Sequence, residues 1–313
     1  MKKDKIFLYI SIFTLILFII SLNFSSQFRL FPQDDIQGIQ SPVPVKLKPY
    51  SRIKSRRIKE ASGIIKSRLW NDIYWTVNDS GNDPLIFPFN KAGEIIPPRW
   101  NAQLDGIHIH NAANVDWEAI TIDHDGYLYI ADIGNNANAR RDLVIYKIRE
   151  PYPPETALTT VVSRIFFYYP EQREFPAVKK NFDAEALFWR KEKLYVLTKN
   201  RSDDYTQLYE LDPQVTESMQ PAKLCEEFRI GQPVTDACYN PSERQLVVLT
   251  INSVWLFQAP TDAEKFFTGH IRWLPIEADQ CEAICFDEDN LLILNEKGYL
   301  FQLPIHQLLP FTP

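Results

Sequence analysis

The chain is poor in glycine, with 10 among 313 residues, well below the ~7% of ordinary proteins. Its turns must be built mainly from Asn, Asp and Pro, as in 78–84, 123–126 and 287–290. Only four cysteines occur, with no CxxC pair and no Cys/His spacing of a zinc site. Cys281 and Cys285 fall in one expected strand at a separation of ~13 Å, too far for a mutual bridge. Buried free thiols packing as small hydrophobes are expected, with a Cys238–Cys281 bridge between neighbouring repeats as the alternative. No GxSxG elbow is present and Ser80 has no histidine in its own motif, which excludes a serine hydrolase of that type. Beyond the N-terminus no stretch carries a long helical period, which excludes a helical domain. Positive charge is also short. The formal charge is −6 and residues 1–5 hold +2, leaving the remainder near −8. Such a chain cannot neutralise a phosphate backbone, so nucleic-acid binding is excluded.

One basic stretch stands apart: Lys46, Lys48, Arg52, Lys54, Arg56, Arg57 and Lys59, with no acid between them. It reads as the charged outer edge strand that discourages aggregation, with anionic lipid headgroups as the alternative partner. At the N-terminus, a basic start (1–5) precedes an apolar segment (6–23) whose core, 6–22, carries no charge. About 17 apolar residues is the lower limit for spanning a bilayer. The basic flank sets the N-terminus inside and the rest outside. We expect a single-pass membrane anchor with an extracytoplasmic domain, a cleaved signal and secretion being the alternative. A Pro-bearing tether (24–50) then leads into the domain, 51–310.

What fills that domain is a pattern repeated five times: a carboxylate, a small residue and an apolar strand, followed by further strands. The starts are Glu60-Ala61-Ser62, Glu118-Ala119-Ile120, Glu185-Ala186-Leu187, Asp236-Ala237-Cys238 and Glu282-Ala283-Ile284, spaced 58, 67, 51 and 46 residues apart. Second strands are predicted at 73–77, 128–131, 194–197, 246–249 and 291–294, and third strands at 85–89, 143–148, 207–211, 254–257 and 299–303. Fourth strands follow at 94–100, 161–169, 222–230 and 270–276. The last copy runs out of chain after three strands, and 51–59 is placed to supply its fourth. This is an all-β β-propeller pattern of five four-stranded blades, with six as the alternative count, closed by an N-terminal strand.

In a blade, the start of the inner strand and the end of the second strand share one rim. The geometry therefore gathers the most polar residues of each repeat about the channel mouth. They are Glu60, Asn78, Asp79 and Ser80 from the first copy, and Asp116, Glu118, Asp132, Asn135 and Asn136 from the second. Glu185, Lys199 and Arg201 come from the third copy, Asp236 from the fourth and Glu282 from the fifth. Like charges this close raise one another's pKa unless countered. A hard cation such as Ca²⁺ is one remedy, with Glu118, Glu185, Asp236 and Glu282 facing it. Protein cations are the other: Arg140, Arg141, Lys199, Arg201 and Lys297. A purely structural role, each carboxylate accepting backbone N–H bonds from the adjacent blade, is the third reading, and exact repetition favours it. The non-repeating residues are then the better functional candidates: Asn78-Asp79-Ser80-Gly81 and Asp116-Trp117-Glu118 with Asp132-Ile133-Gly134-Asn135-Asn136. Gly81 and Gly134 would leave backbone N–H groups open to a ligand. His108 and His110 alternate before Asp116 and would point the same way, though their spacing is not that of a specific metal motif.

Together, Glu60-Ala-Ser-Gly-Ile, Trp75-x-x-Asn78-Asp79-Ser80-Gly81, Asp116-Trp117-Glu118-Ala119, Ala131-Asp132-Ile133-Gly134-Asn135-Asn136 and Arg149-Glu150-Pro151 resemble a group of bacterial exported propellers. These are distantly similar to phytase-like and esterase-like-phytase propellers. The resemblance implies carboxylates binding Ca²⁺ around a phosphate-bearing substrate, with Lys199 and Arg201 as phosphate partners. It lacks the continuous acidic cluster of that activity. Three functions are therefore carried forward: a tethered module binding a small molecule, glycan or protein at its rim; a Ca²⁺-dependent phosphoester hydrolase; and a structural scaffold.

Overall fold

Apolar runs that are continuous in the middle of each repeat and alternating at its end dictate sheets buried on one side of the repeat and wetted on the other. The computed structural model describes residues 42–199, 201–259 and 265–311. The basic start, the apolar segment and the tether up to residue 41 lie outside the described residues. Among the described residues, no helix is long and apolar enough to cross a membrane.

Five inner strands, Ala61–Lys66, Trp117–Ile122, Asp183–Arg190, Val234–Asn240 and Cys281–Asp287, each pair antiparallel with a second strand. The second strands are Tyr74–Asn78, Tyr127–Asp132, Lys193–Lys199, Gln245–Thr250 and Asn290–Asn295. Beyond them lie Leu85–Phe89, Val144–Arg149, Tyr205–Leu211, Ser253–Gln258 and Tyr299–Pro304. Outer strands Ile107–His110, Leu158–Tyr168, Lys223–Arg229 and His270–Glu277 complete four sheets. The fifth is completed from the N-terminal side, Ser51–Arg52 pairing antiparallel with Tyr299 and Leu300. The inner strands neighbour one another in cyclic order, the last returning to the first. The fold is all-β and propeller-like.

Burial falls from the inside outward. The inner strand Asp183–Arg190 is buried at every position, whereas the outer strand Lys223–Arg229 has no buried residue. Trp75 and Trp117 are fully enclosed between sheets, each such side chain stabilising by roughly 1.5–3 kcal/mol relative to exposure. All four cysteines are free thiols, three of them buried. Close approach of the first two inner strands requires Gly63: at its φ of +68° a Cβ would meet Ile120 N at 2.8 Å.

Two expected strands are redrawn. The fourth strand of the first sheet is Ile107–His110, not 94–100. Pro97 and Pro98 offer no N–H to a ladder, and that stretch keeps only an isolated bridge between Phe89 and Ile95. The closing strand is shorter than 51–59. After Arg52, the Ile53 N–H turns to Gly298 O and the Lys54 N–H crosses to Gly93 O, 2.8 Å in each case. The basic stretch is partly neutralised, three of its seven cations being paired: Lys46 on Glu277, Lys54 on Glu94 and Arg57 on Asp83. The outer strand Leu158–Tyr168 pairs parallel with His108–His110 at one end and with Gln220–Pro221 at the other, lashing three sheets together at their periphery.

Candidate functional site

Every inner strand begins with a bulge, the register slipping by one residue against its second strand. The extra residue of a bulge is unpaired and its side chain is re-aimed. Around the ring these residues are Gly63, Glu118, Glu185, Thr235 and Glu282. The structure thus keeps three of the five aligned carboxylates in equivalent places and displaces two. Glu60 lies before its strand and is exposed, and Asp236 falls one residue past its bulge.

That one-residue offset decides what Asp236 does. Its Oδ1 accepts the Ala237 N–H and its Oδ2 accepts the Ile284 N–H of the next sheet, each at 2.8 Å, at 1% exposure. Asp236, expected as a metal ligand, is a tie between sheets. Several other rim candidates are spent in the same way. Asn78 accepts Lys59 N–H and donates to Arg57 O. Asn135 accepts the N–H groups of Ala139 and Arg140 and donates to Phe182 O. Asp132 accepts Asp116 N–H at 3.0 Å and Val115 N–H at 3.3 Å while pairing with Arg140 at 2.8 Å. Ser80 and Asn136 are exposed, and Asn136 accepts from Arg201.

What these ties position is a carboxylate cluster. One oxygen each from Asp79, Asp116 and Glu118 lies within 4.8 Å of the other two, with Glu118 buried and the others half-buried. Asn114 brings the two segments together. Its Nδ2 donates to the carbonyls of Asn78 and Asp79, and its Oδ1 accepts the Trp117 N–H. Asp116 is pinned by its backbone alone, to Asp132 on one side and to Gly134 N–H on the other, leaving its carboxylate to face the cluster. Gly134 makes the space: a Cβ there would overlap Glu118 Oε1 and the Asp116 carboxylate. Its N–H is donated to Asp116 O at 3.1 Å, so the glycine serves the acids and does not present an open N–H.

In the neighbouring third repeat, Lys199 Nζ contacts Glu185 Oε1 at 2.7 Å, and Arg201 pairs with Asp183 at 2.5 Å and with Glu185 at 3.8 Å. Asp183 Oδ1 also accepts the Asn135 N–H at 2.6 Å. Glu282 is half-buried beside these groups. Burial, reinforced by Glu185, Asp79 and Asp116, raises Glu118 well above the ordinary range. Burial and then Asp79 push Asp116 up to about 7. Burial carries Glu282 up to about 8, with Lys199 opposing and Glu185 adding. Asp79 and Glu185 are raised by burial too, Lys199 again opposing in both.

The donor set is all oxygen and all carboxylate, the chemistry of a hard divalent cation rather than zinc or copper. Glu118 is 4% exposed and no hydrogen bond among the described residues reaches its carboxylate, although its oxygens are not among the fully sealed polar atoms that lack a partner. His108 and His110 do point the same way, both exposed on their strand, but the carboxylate cluster contains no histidine among the described residues. Asn114 and Asp183 were missed from sequence. The first was signalled by its place two residues before Asp116, the second by nothing that distinguishes it from other strand-edge acids.

No family model matches the chain, and no curated protein does. Among solved structures it is similar to the major allergen Mala s 1 of Malassezia sympodialis, at 12% identity and a TM-score of 0.50, over 83% of this chain and 94% of that one. It is also similar to virginiamycin B lyase from Staphylococcus aureus, at 13% identity, TM-score 0.41, over 82% and 98%. A Thermus glucose dehydrogenase-type oxidoreductase is similar at 11% identity, TM-score 0.42, over 85% and 97%. At such identities the likeness extends to a propeller-like repeat fold and no further.

Proposed function

We propose that the chain is a five-bladed propeller that acts as a binding module, holding a Ca²⁺ ion at Asp79, Asp116 and Glu118 in the rim of its channel. The observation that carries this reading is the Glu118 carboxylate: buried, without a donor, and brought against two further carboxylates by a glycine that makes room for them. A cation there would supply the missing countercharge and expose a Lewis-acidic face to the mouth. Oxygen-rich ligands such as a glycan, a carboxylate or a protein side chain would dock on that face. On this reading Asp79, Asp116 and Glu118 hold the ion, Asp132 and Asn114 hold Asp116 and Asp79 in place, and Lys199 with Arg201 line the neighbouring side of the mouth. An uncleaved apolar segment would tether the module outside the membrane. Three carboxylates leave part of the six to eight oxygen positions of Ca²⁺ for ligand or water.

Calorimetric titration of the metal-stripped full-length chain with CaCl₂ tests the reading. Saturable binding that Glu118→Gln abolishes is the expected result. No heat and no thermal stabilisation with wild type would refute it.

A further inference from the structure

The mouth carries a second group of carboxylates, and its countercharge is built in. Glu185 and Glu282 occupy the same bulge position as Glu118 in their own strands. Against Glu185 stands Lys199, whose side chain is 16% exposed and whose Nζ lies 2.7 Å from Glu185 Oε1, and Glu282 is near enough to act on its charge. Burial alone would pull the Lys199 ammonium down, but Glu185 and then Glu282 outweigh it and hold the proton on. The same charge also acts on Asp79 and Glu296, so one ammonium serves the carboxylates on three sides of the channel. Glu118 is beyond its hydrogen-bonding reach. Arg201 cannot replace Lys199, because its Nε is committed to Asp183, and it reaches Glu185 only at 3.8 Å.

We infer that Lys199 stands where a second divalent cation would sit, and that it restricts the rim to a single ion at Asp79, Asp116 and Glu118. This rests on the cation site proposed above and adds its stoichiometry and what sets it. Two acids at equivalent bulges, one with a lysine against it and the other with no donor among the described residues, form the residue set of a cation site whose charge the chain itself provides. Removing the ammonium while keeping the aliphatic stem leaves the buried Glu185 and the half-buried Glu282 without that countercharge, and Ca²⁺ can then supply it.

Calcium stoichiometry of the full-length, metal-stripped chain tests this, measured by calorimetry and by Tb³⁺ luminescence, with circular dichroism confirming the fold of each variant. Wild type should take up one ion, Lys199→Met two, and Lys199→Arg, which keeps the charge, one. Two ions in wild type overturn the inference while leaving the cation site standing, and so does a folded Lys199→Met that still takes up one. Zero in wild type removes the cation site itself. Should Lys199→Met not fold, Lys199→Gln replaces it in the same comparison.

Discussion

Replacing Glu118 by glutamine separates a functional carboxylate from a structural one, because the two roles give opposite signs. In the cation-free protein, Glu118 is a 4%-exposed acid surrounded by Glu185, Asp79 and Asp116, with no hydrogen-bond donor among the described residues. An amide of the same shape carries no charge and can donate to those neighbouring carboxylates. Because the Glu118 oxygens are not fully sealed, removing this charge is worth about 1 kcal/mol, the low end of the penalty for an unsatisfied buried group, and about 2–4 °C of melting temperature accompanies each kcal/mol in domains of ~200 residues. In EDTA at pH 8, Glu118→Gln should therefore melt above wild type by at least ~2 °C. With Ca²⁺ at 100-fold over its dissociation constant, wild type should gain ~2.7 kcal/mol, or about 5–10 °C, and the variant nearly none. The order of stabilities should thus invert on adding calcium. Differential scanning fluorimetry in EDTA and in CaCl₂ reads both effects. A variant less stable than wild type in EDTA, with an unchanged calcium response, would show that Glu118 holds the sheets together and does not wait for an ion.

Acidity should move the same equilibrium. Asp116, up to about 7, and Glu282, up to about 8, hold their protons more tightly folded than unfolded. Their contribution to stability is complete below about pH 4 and is lost as pH rises through 7 and 8. The cation-free protein should melt lower at pH 8.5 than at pH 5.5, calcium affinity should rise over that interval, and binding should release protons in paired buffers of different ionisation enthalpy. A cation-free melting temperature flat from pH 5.5 to 8.5 would contradict the buried-acid assignment. Gly134→Ala forces a methyl into the Glu118 and Asp116 carboxylates. Calcium affinity should fall at least ~10-fold, with stability in EDTA changed by no more than about 1 kcal/mol. Far from the mouth, Asp287 is 3% exposed and is held by Lys66 at 2.5 Å, by Lys91 and by the Tyr74 hydroxyl at 2.7 Å. Burial pushes it up, but these partners win and bring it down to about 2. Its stabilising effect is present above pH ~4 and fades as pH falls toward 2. Asp287→Asn should cost about 2 kcal/mol at neutral pH in urea melts, less than a sealed pair because both lysines are half-exposed, and calcium binding should be untouched.

Much of this architecture is written in the strand periodicity. The succession of strands in each repeat and a fourth strand supplied to the last copy from the N-terminal side were legible, and Ser51–Arg52 does pair with Tyr299 and Leu300. The bulge was not legible. Aligning each copy on its acid and small residue equated Glu60 and Asp236 with Glu118, Glu185 and Glu282. A bulge shifts facing by one residue without disturbing composition, and period-two alternation cannot report which residue is pushed out. The site was legible where the copies differ. Asp79, Asp116 and Glu118 come from the two motifs that occur once each, whereas of the four acids expected to face a cation (Glu118, Glu185, Asp236 and Glu282) only Glu118 lies in the cluster. The Lys199–Glu185 pair joins the end of a second strand to the start of its own inner strand, a neighbourhood the repeat geometry predicts. The Arg201–Asp183 pair rests on a carboxylate that the acid-led alignment passed over.

The bulge position also shows that glutamate is not what closes the ring. Gly63 and Thr235 occupy it in two sheets. There the neighbouring inner strands are joined by neutral hydroxyls: Ser62 Oγ donates to Glu118 O at 2.6 Å and Thr235 Oγ1 to Cys281 O at 3.0 Å. Packing one sheet against the next therefore needs a small residue or a hydroxyl, and a buried carboxylate in that place only adds desolvation. At Glu185 the added cost is offset by Lys199. At Glu118 no donor of the described residues offsets it, and the surrounding structure increases it by aiming Asp79 and Asp116 at the same point and by leaving Gly134 without a side chain. The coincidence of these features at one spot is what motivates the proposed cation, and the Glu118→Gln comparison in EDTA and in CaCl₂ decides whether one binds.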